Sequence, residues 1–479
     1  MNTTPITTHV LVIGGGFSGI ALGRGLLQQG ITDFLIIDRN HQFGGCWSDN
    51  TYPGVACDVP SHLYSFSWRP NPDFSRVYGT GPEIRQYLED TALELGLDQH
   101  YRPGENLESA TYRDGGWDVK TDQASYRCTV LITATGHLID PKIPDTDFAG
   151  EVLHSAAWDH SVDLAGKRVA VVGTGASAIQ VVPAIADTAA EVTVFQRTPA
   201  WIIPREDRAY TEAEKRTFAR VPEALEAERA YRFWHGEALY PAMRGHAGTQ
   251  AMLKKLADAH RANLIEDEAL REKLTPTYAP GCKRVLVAND FYHALNRDNV
   301  ELVASALDHA QGHTLVAADG TTIEADVLIF CTGFDVAEPV YAEKVFNDRG
   351  ESLSQAWGRG DVLLHTLFAP DFPNLIAVNA RHTGLGHNSL VHIIETQVDA
   401  AMQALKWNAA TFQARRDAHD AYAHKLAEMA QGTVWTEGGG CGAWYVDGRT
   451  NTLTAVWPGF AFELRQQLRE IPQQHFQLN

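Results

Sequence analysis

No stretch of this chain is long and apolar enough to span a bilayer, and no basic segment followed by an apolar one opens it at Met1-Asn2-Thr3-Thr4-Pro5. A soluble, cytoplasmic protein is expected, with no membrane partner. Positive charge is also scarce. Forty Lys and Arg against 59 Asp and Glu leave a formal charge of −19, which argues against a nucleic-acid partner or an anionic surface. Cysteine is thin: Cys46, Cys57, Cys128, Cys282, Cys331 and Cys441 are scattered, with no CxxC pair and no zinc-like spacing. That pattern predicts a reduced protein with neither a disulfide framework nor a structural metal. What is abundant is ordinary. Hydrophobic residues make up 44% and charged residues 21%, a globular composition, and 479 residues are too many for one core. Two or more lobes are expected.

The first informative segment is an apolar run, Thr8-His9-Val10-Leu11-Val12-Ile13, entering Gly14-Gly15-Gly16-Phe17-Ser18-Gly19. It reads as a buried parallel strand turning into a helix over Ile20 to Leu27, with a second strand at Phe34-Leu35-Ile36-Ile37. Gly14 suits the tight turn, Gly16 the approach of a pyrophosphate, and Gly19 close packing of helix on strand. Asp38 ends the second strand, where a carboxylate accepts hydrogen bonds from ribose hydroxyls. The pattern repeats at Arg168-Val169-Ala170-Val171-Val172, followed by Gly173-Thr174-Gly175-Ala176-Ser177-Ala178, a helix through Ile185 and a strand at Val192-Thr193-Val194-Phe195. Here Gln196-Arg197-Thr198 stand where the first repeat has an acid. An acid suits a free 2′-hydroxyl and an arginine suits a 2′-phosphate, so the first site reads as FAD and the second as NADPH.

Two further strands, Val130 to Gly136 and Val327 to Gly333, end in ATG and CTG and bracket the second fingerprint. The fold expected is α/β, with two Rossmann-like dinucleotide-binding domains. Residues 1–144 and 331–479 form a discontinuous FAD domain around an NADPH domain at 145–330. Residues 206–275 read as a helical insert, with a capping box at Thr211 to Glu214 and Phe218, Val221, Leu225, Leu253 and Leu256 at helical spacing. The insert's His and Met residues are read as packing or solvated groups.

Between the fingerprints lies Phe148-Ala149-Gly150-Glu151-Val152-Leu153-His154-Ser155-Ala156-Ala157-Trp158-Asp159. It fits FxGxxxHxxxW(P/D), and on this motif the chain resembles the type I Baeyer–Villiger monooxygenases, a family of flavoprotein monooxygenases. A joint between domains is its expected role, with His154 bonding backbone and Trp158 a packing surface. Gly44-Gly45-Cys46-Trp47, Tyr52-Pro53-Gly54-Val55-Ala56-Cys57-Asp58 and Gly281-Cys282-Lys283-Arg284 are similar to further family segments. Gly384-Leu385-Gly386-His387-Asn388-Ser389, Glu395 and Cys441-Gly442-Ala443-Trp444-Tyr445 resemble the hydroxyacetophenone branch. Cys46 for the usual Thr, and Val55-Ala56 for Ala-Arg, depart from the cyclohexanone-oxidising branch.

The resemblance implies that NADPH reduces FAD, and that the flavin adds O2 as a C4a-peroxide that attacks a ketone, giving an ester or lactone. Arg284 would stabilise the anionic peroxide and the oxyanion of the adduct, because a guanidinium keeps its charge at any working pH. Asp58 would orient Arg284, and Lys283 would reach the NADPH phosphate beside Arg197 and Thr198. Gly45, Trp47 and Ala178 join the cofactor-binding residues. Trp444, beyond the run Glu437-Gly438-Gly439-Gly440, would anchor a loop closing over NADP and substrate, or else be a core tryptophan. An aryl or bulky ketone is the expected substrate. Three other readings stay open: oxygenation of sulfur or nitrogen, a flavoprotein reductase, and a non-catalytic flavin-binding protein. A redox-active CxxC or CxxxxC, which a disulfide reductase needs, is absent.

Overall fold

The computed structural model describes residues 4–407, 409–442 and 444–479; Met1-Asn2-Thr3 of the opening and Ala443 of the Cys441–Tyr445 segment lie outside the described residues. The strand Ile6–Ile13 lies at the heart of an eight-stranded sheet. Parallel neighbours Phe34–Asp38 and Ser125–Thr133 flank it, and Tyr101–Pro103 pairs beyond Phe34–Asp38. Val10, Leu11 and Val12 are fully buried, as a strand covered on both faces requires. Leu107–Arg113 and Gly116–Thr121 extend the sheet antiparallel, and two strands from late in the chain complete it. Val345–Phe346 pairs Leu107–Arg113, and Leu375–Ala377 pairs residues 131–133 of the strand Ser125–Thr133.

The first glycine turn feeds the helix Phe17–Gln28, a little longer than expected, which packs under the helix Leu390–Ala404. Ile20, Leu22 and Leu26 form its buried face with no exposed area. Truncating one of them to alanine would cost about 2–5 kcal/mol.

The second lobe holds a five-stranded parallel sheet in the order Val300–Val303, Glu191–Phe195, Arg168–Val172, Val327–Phe330, Glu151–His154. Its glycine turn leads to the helix Ala178–Ile185, whose Val181, Val182 and Ile185 are buried. Five helices fill the insert: Glu212–Arg220, Pro222–Glu237, Tyr240–Met243, Ala247–Leu264 and Glu268–Lys273. Thr211 and Glu214 do form the capping box. The apolar spacing is only half right, because Leu225 and Leu253 are buried while Val221 and Leu256 stand exposed. Helical spacing marks a face, but not whether anything covers it.

No described helix is long and apolar enough to cross a membrane, and the described residues contain no His/Cys/Asp/Glu cluster able to hold a metal. The cysteine expectation needs correction. Cys282 and Cys441, 159 residues apart, form a disulfide, and the other four cysteines are free. The fold brings their loops together through two hydrogen bonds: Ala279 N–H donates to Gly439 O at 2.9 Å and the Trp435 indole to Gly281 O at 3.1 Å.

Candidate active site

At the first turn, the ATG strand ending passes so close that a Cβ on Gly14 (φ +117°) would stand 2.5 Å from the Ala134 carbonyl oxygen. Gly16 faces Gly45, whose Cα would lie 3.3 Å from an added Cβ, and Gly44 N–H donates to Gly15 O at 3.1 Å. Gly19 lies directly against Gly14, so the third glycine serves helix packing. The Asp38 carboxylate is buried and takes the N–H groups of Gly15 and of Asn40, the latter at 2.7 Å. Burial pushes its pKa up against those two bonds. Beside it opens a cavity of about 120 Å³, lined among others by Gly14, Asp38, Gly45, Asn106, Thr135 and Tyr341. A glycine floor and a carboxylate at the end of the second strand fit the adenosine end of a dinucleotide. Trp47 is partly buried, its indole N–H donating to Tyr64 Oη at 3.2 Å.

The second turn repeats the base of the first. A Cβ on Gly173 (φ +111°) would stand 2.7 Å from the Cys331 carbonyl oxygen of the CTG ending. Ala178 replaces the third glycine and is fully buried. Around Gly175, in contrast, no described residue lies within 4 Å of an added Cβ. Thr174 Oγ1 donates to Thr198 O at 3.2 Å, which ties the turn to the Gln196-Arg197-Thr198 segment. Arg197 is exposed and has no ion-pair partner among the described residues. Burial, and the positive charge of Arg197 nearby, hold the Lys283 amine below its ordinary pKa. Two neighbouring cations with no carboxylate between them fit a phosphate.

Between the turns, two distant segments meet. The Arg284 guanidinium forks onto Asp58, Nε to Oδ2 at 2.6 Å and Nη2 to Oδ1 at 2.9 Å, and Nη1 donates to Leu385 O at 3.0 Å. Both paired side chains are 29% exposed. Burial alone would raise the Asp58 carboxyl, but Arg284, with Arg205 behind it, brings it below the ordinary value. Arg284 in turn is held above its ordinary value, because Asp58 outweighs the cost of burial. Three of the five guanidinium N–H groups are thereby spoken for and two keep no partner among the described residues.

Residues that sequence reasoning missed hold Asp58 in place. Gln180, on the helix of the second turn, accepts from Tyr52 Oη at 2.9 Å and donates to Ala56 O at 3.0 Å, and Arg205 donates to Cys57 O at 2.9 Å. Gln180 was detectable as the polar residue of an otherwise apolar helix; Arg205 carried no signal. Trp444 is 46% exposed, its ring 4.4 Å from Tyr445 and 6.3 Å from His137, so it is not a core tryptophan.

The motif Phe148 to Asp159 forms the entry to the second sheet. Phe148 is buried under that sheet, Gly150 packs on the Asp326 backbone, and His154 ends the edge strand Glu151–His154. His154 Nδ1 accepts from Ala156 N–H at 3.0 Å. Trp158 packs partly buried on the second-lobe core, and Asp159 is exposed, taking Ser161 N–H at 2.8 Å.

Residues 11–227 match the family model described as pyridine nucleotide-disulphide oxidoreductase. A Baeyer–Villiger monooxygenase of Streptomyces coelicolor is 40% identical, covering 98% of this chain and 92% of its own length. The chain belongs to the Baeyer–Villiger monooxygenase family. A second member, from Pseudomonas aeruginosa, is 36% identical over 96% of this chain and 89% of its own. Among solved structures, cyclohexanone monooxygenase from Rhodococcus sp. Phi1 bound to NADP+ superposes with a TM-score of 0.86 at 25% identity, over 99% of this chain and 100% of that one. An oxidized steroid monooxygenase bound to NADP gives 0.85 at 26% identity, over 99% of both chains.

Proposed function

We propose that the chain is an FAD-containing, NADPH-dependent monooxygenase that inserts one oxygen atom beside a ketone carbonyl: ketone, O2, NADPH and a proton give ester or lactone, NADP+ and water. The observation that carries this reading is Arg284, fixed by Asp58 and Leu385 with two N–H groups that have no partner among the described residues. We assign residues 1–144 and 331–479 to the flavin, and 145–330, with the insert at about 206–275, to the coenzyme. Asp38, Gly14, Gly16 and Gly45 would hold FAD, with Trp47 and Asp58 further along it. Gly173, Gly175, Arg197, Thr198 and Lys283 would hold NADPH, and Trp444 would lie on the loop that covers it. The bound flavin supplies the reducing electrons that activate O2. This chain's part is to orient, exclude water and hold charge.

Arg284 carries a permanent positive charge at the oxygen that forms on the former carbonyl, and it cannot hand over a proton at neutral pH. Asp58 holds two of the guanidinium nitrogens in a bidentate fork, and the Leu385 carbonyl holds the third. The segments resembling the hydroxyacetophenone branch support an aryl or bulky ketone. The scattered free thiols support the cytoplasm as the place of action, and the Cys282–Cys441 link counts against it.

Arg284→Ala tests the reading. It should retain FAD and NADPH, abolish ester formation, and send the oxygen it still consumes to hydrogen peroxide. Lysine at this position should rescue weakly, since it keeps charge without the planar fork. Asp58→Ala should lower product, and the double variant should cost much less than the two losses added. Wild-type ester formation by Arg284→Ala would remove this residue from the chemistry.

A further inference from the structure

The end of the helix Pro222–Glu237 meets the loop Gly384–Ser389 at a buried carboxylate. Glu237 is 2% exposed. Its Oε1 accepts from Asn388 Nδ2 at 2.6 Å, and its Oε2 accepts from the Phe462 backbone N–H at 3.4 Å. His387 Nε2 stands 3.2 Å from Oε1, close enough for attraction though poorly aligned for a hydrogen bond. The approach is tight, for a Cβ on Gly236 would lie 2.6 Å from the His387 carbonyl oxygen. Burial would raise the Glu237 carboxyl, but His387, Asn388 and Phe462 together bring it below the ordinary value. A carboxylate this buried is costly unless its partners are held in place, so it fixes the loop as firmly as the loop fixes it.

Asn388 cannot turn to suit a different partner. Its Oδ1 accepts from Ser389 N–H at 2.8 Å while its Nδ2 also donates to Phe233 O at 3.1 Å. Two residues before His387, the Leu385 carbonyl takes Nη1 of Arg284. The Asp58 fork alone lets the guanidinium tilt about the line joining its two bonded nitrogens. A third contact, on the opposite nitrogen, removes that freedom.

We propose that Glu237 is a positioning residue for oxygen insertion: it clamps the loop Gly384–Ser389 so that the Leu385 carbonyl fixes the tilt of Arg284. The proposal rests on the reading of Arg284 given above. It involves no contact between Glu237 and substrate or cofactor. The helical insert would thereby set the geometry of a cation lying outside it.

Glu237→Gln is the direct test, because it keeps the shape and removes one acceptor. Whichever way the new amide turns, its NH2 meets a donor, either Asn388 Nδ2 or the Phe462 N–H. In flavin-loaded protein, flavin reduction by NADPH under anaerobic conditions should stay within about twofold of wild type. The peroxide released per ester formed should rise about 3- to 10-fold, the effect of one ordinary hydrogen bond. Hydrogen exchange of the Gly386–Ser389 amides should quicken, with or without NADPH. Adding Glu237→Gln to Arg284→Lys should raise the peroxide fraction no further, since lysine has no Nη1 to fix. Asn388→Ala removes the same contact from the loop side and carries the test if Glu237→Gln does not fold. Unchanged exchange, or faster exchange with an unchanged peroxide fraction, would overturn the proposal. Loss of product in parallel with loss of flavin would also overturn it, by making Glu237 merely structural. Wild-type ester formation by Arg284→Ala would instead overturn the reading beneath it.

Discussion

The two glycine turns are built alike at the base and differently at the mouth. In both, the first glycine donates to the neighbouring strand, Gly14 to Ile37 O at 2.8 Å and Gly173 to Phe195 O at 3.0 Å. In both, a small-residue strand ending crowds that glycine from the other side. At the mouth, the first turn is roofed by Gly44 and Gly45 and its carboxylate is locked by two backbone N–H groups. The second has open space at Gly175 and an exposed Arg197 with no carboxylate partner among the described residues. A roofed site with its recognition group already bonded suits a cofactor that stays. An open site with a waiting cation suits one that comes and goes. The same local fingerprint serves both, and the surroundings decide which.

The sharpest way to break this comparison is to place the same side chain in both turns. Gly16→Val should yield protein without flavin, because valine must fit against the Gly45 backbone where a pyrophosphate approaches. Gly175→Val has room, so it should fold with unchanged Tm and bound flavin, yet lose rapid reduction by NADPH. Absorbance near the flavin band and stopped-flow reduction read both; flavin loss in the second variant alone would reverse the assignment. Next in size, Arg197→Ala should raise the KM for NADPH about 10- to 150-fold, the loss of a charge-assisted contact worth about 1.5–3 kcal/mol, and leave the KM for NADH nearly unchanged. A wild type that uses the two coenzymes equally would contradict the role given to Arg197.

The disulfide ties the segment preceding Lys283 to the loop before Trp444, so breaking it should disturb the open site and spare the roofed one. Cys441→Ser is expected to bind flavin normally, lose about 2–4 kcal/mol of stability and speed proteolysis at residues 435–442. Unreduced peptide mapping should recover residues 282 and 441 in one linked fragment. The smallest effect concerns acid. Burial pushes His62, His365, His382 and His392, all in the first lobe, down to about 4 from the usual 6.5. Unfolding lets these rings take up protons at once, so stability present above pH 6.5 is lost as pH falls toward 4. Flavin fluorescence should therefore appear, and Tm decline, across that window. A level Tm would mean that the rings are already protonated in the fold.

The strands and both turns were legible because buried parallel strands are continuous apolar runs, such as Val10 to Ile13, and a glycine turn follows them locally. What links the lobes was not. Asp58 and Arg284 lie 226 residues apart, and only the family resemblance paired them. Cys282 and Cys441 looked like strays for the same reason: their contact depends on how two irregular loops pack. Val221 and Leu256 were misjudged because periodicity cannot say which face of a surface helix meets a neighbour. Trp444, between two readings in the sequence, is settled by its exposure as a surface residue.

The strand Leu375–Ala377 lies beside Ser125–Thr133, although some 240 residues separate them in the chain. During synthesis at about 5–20 residues per second, the edge at residues 131–133 waits roughly 12–50 seconds for its partner. The second sheet, which closes with Val327–Phe330, can be complete before the first one is. Leu131 and Ile132 are the residues left uncovered in that interval, a hydrophobic edge open to wrong pairing. The first lobe, although most of its strands leave the ribosome first, is thus the last of the two to close.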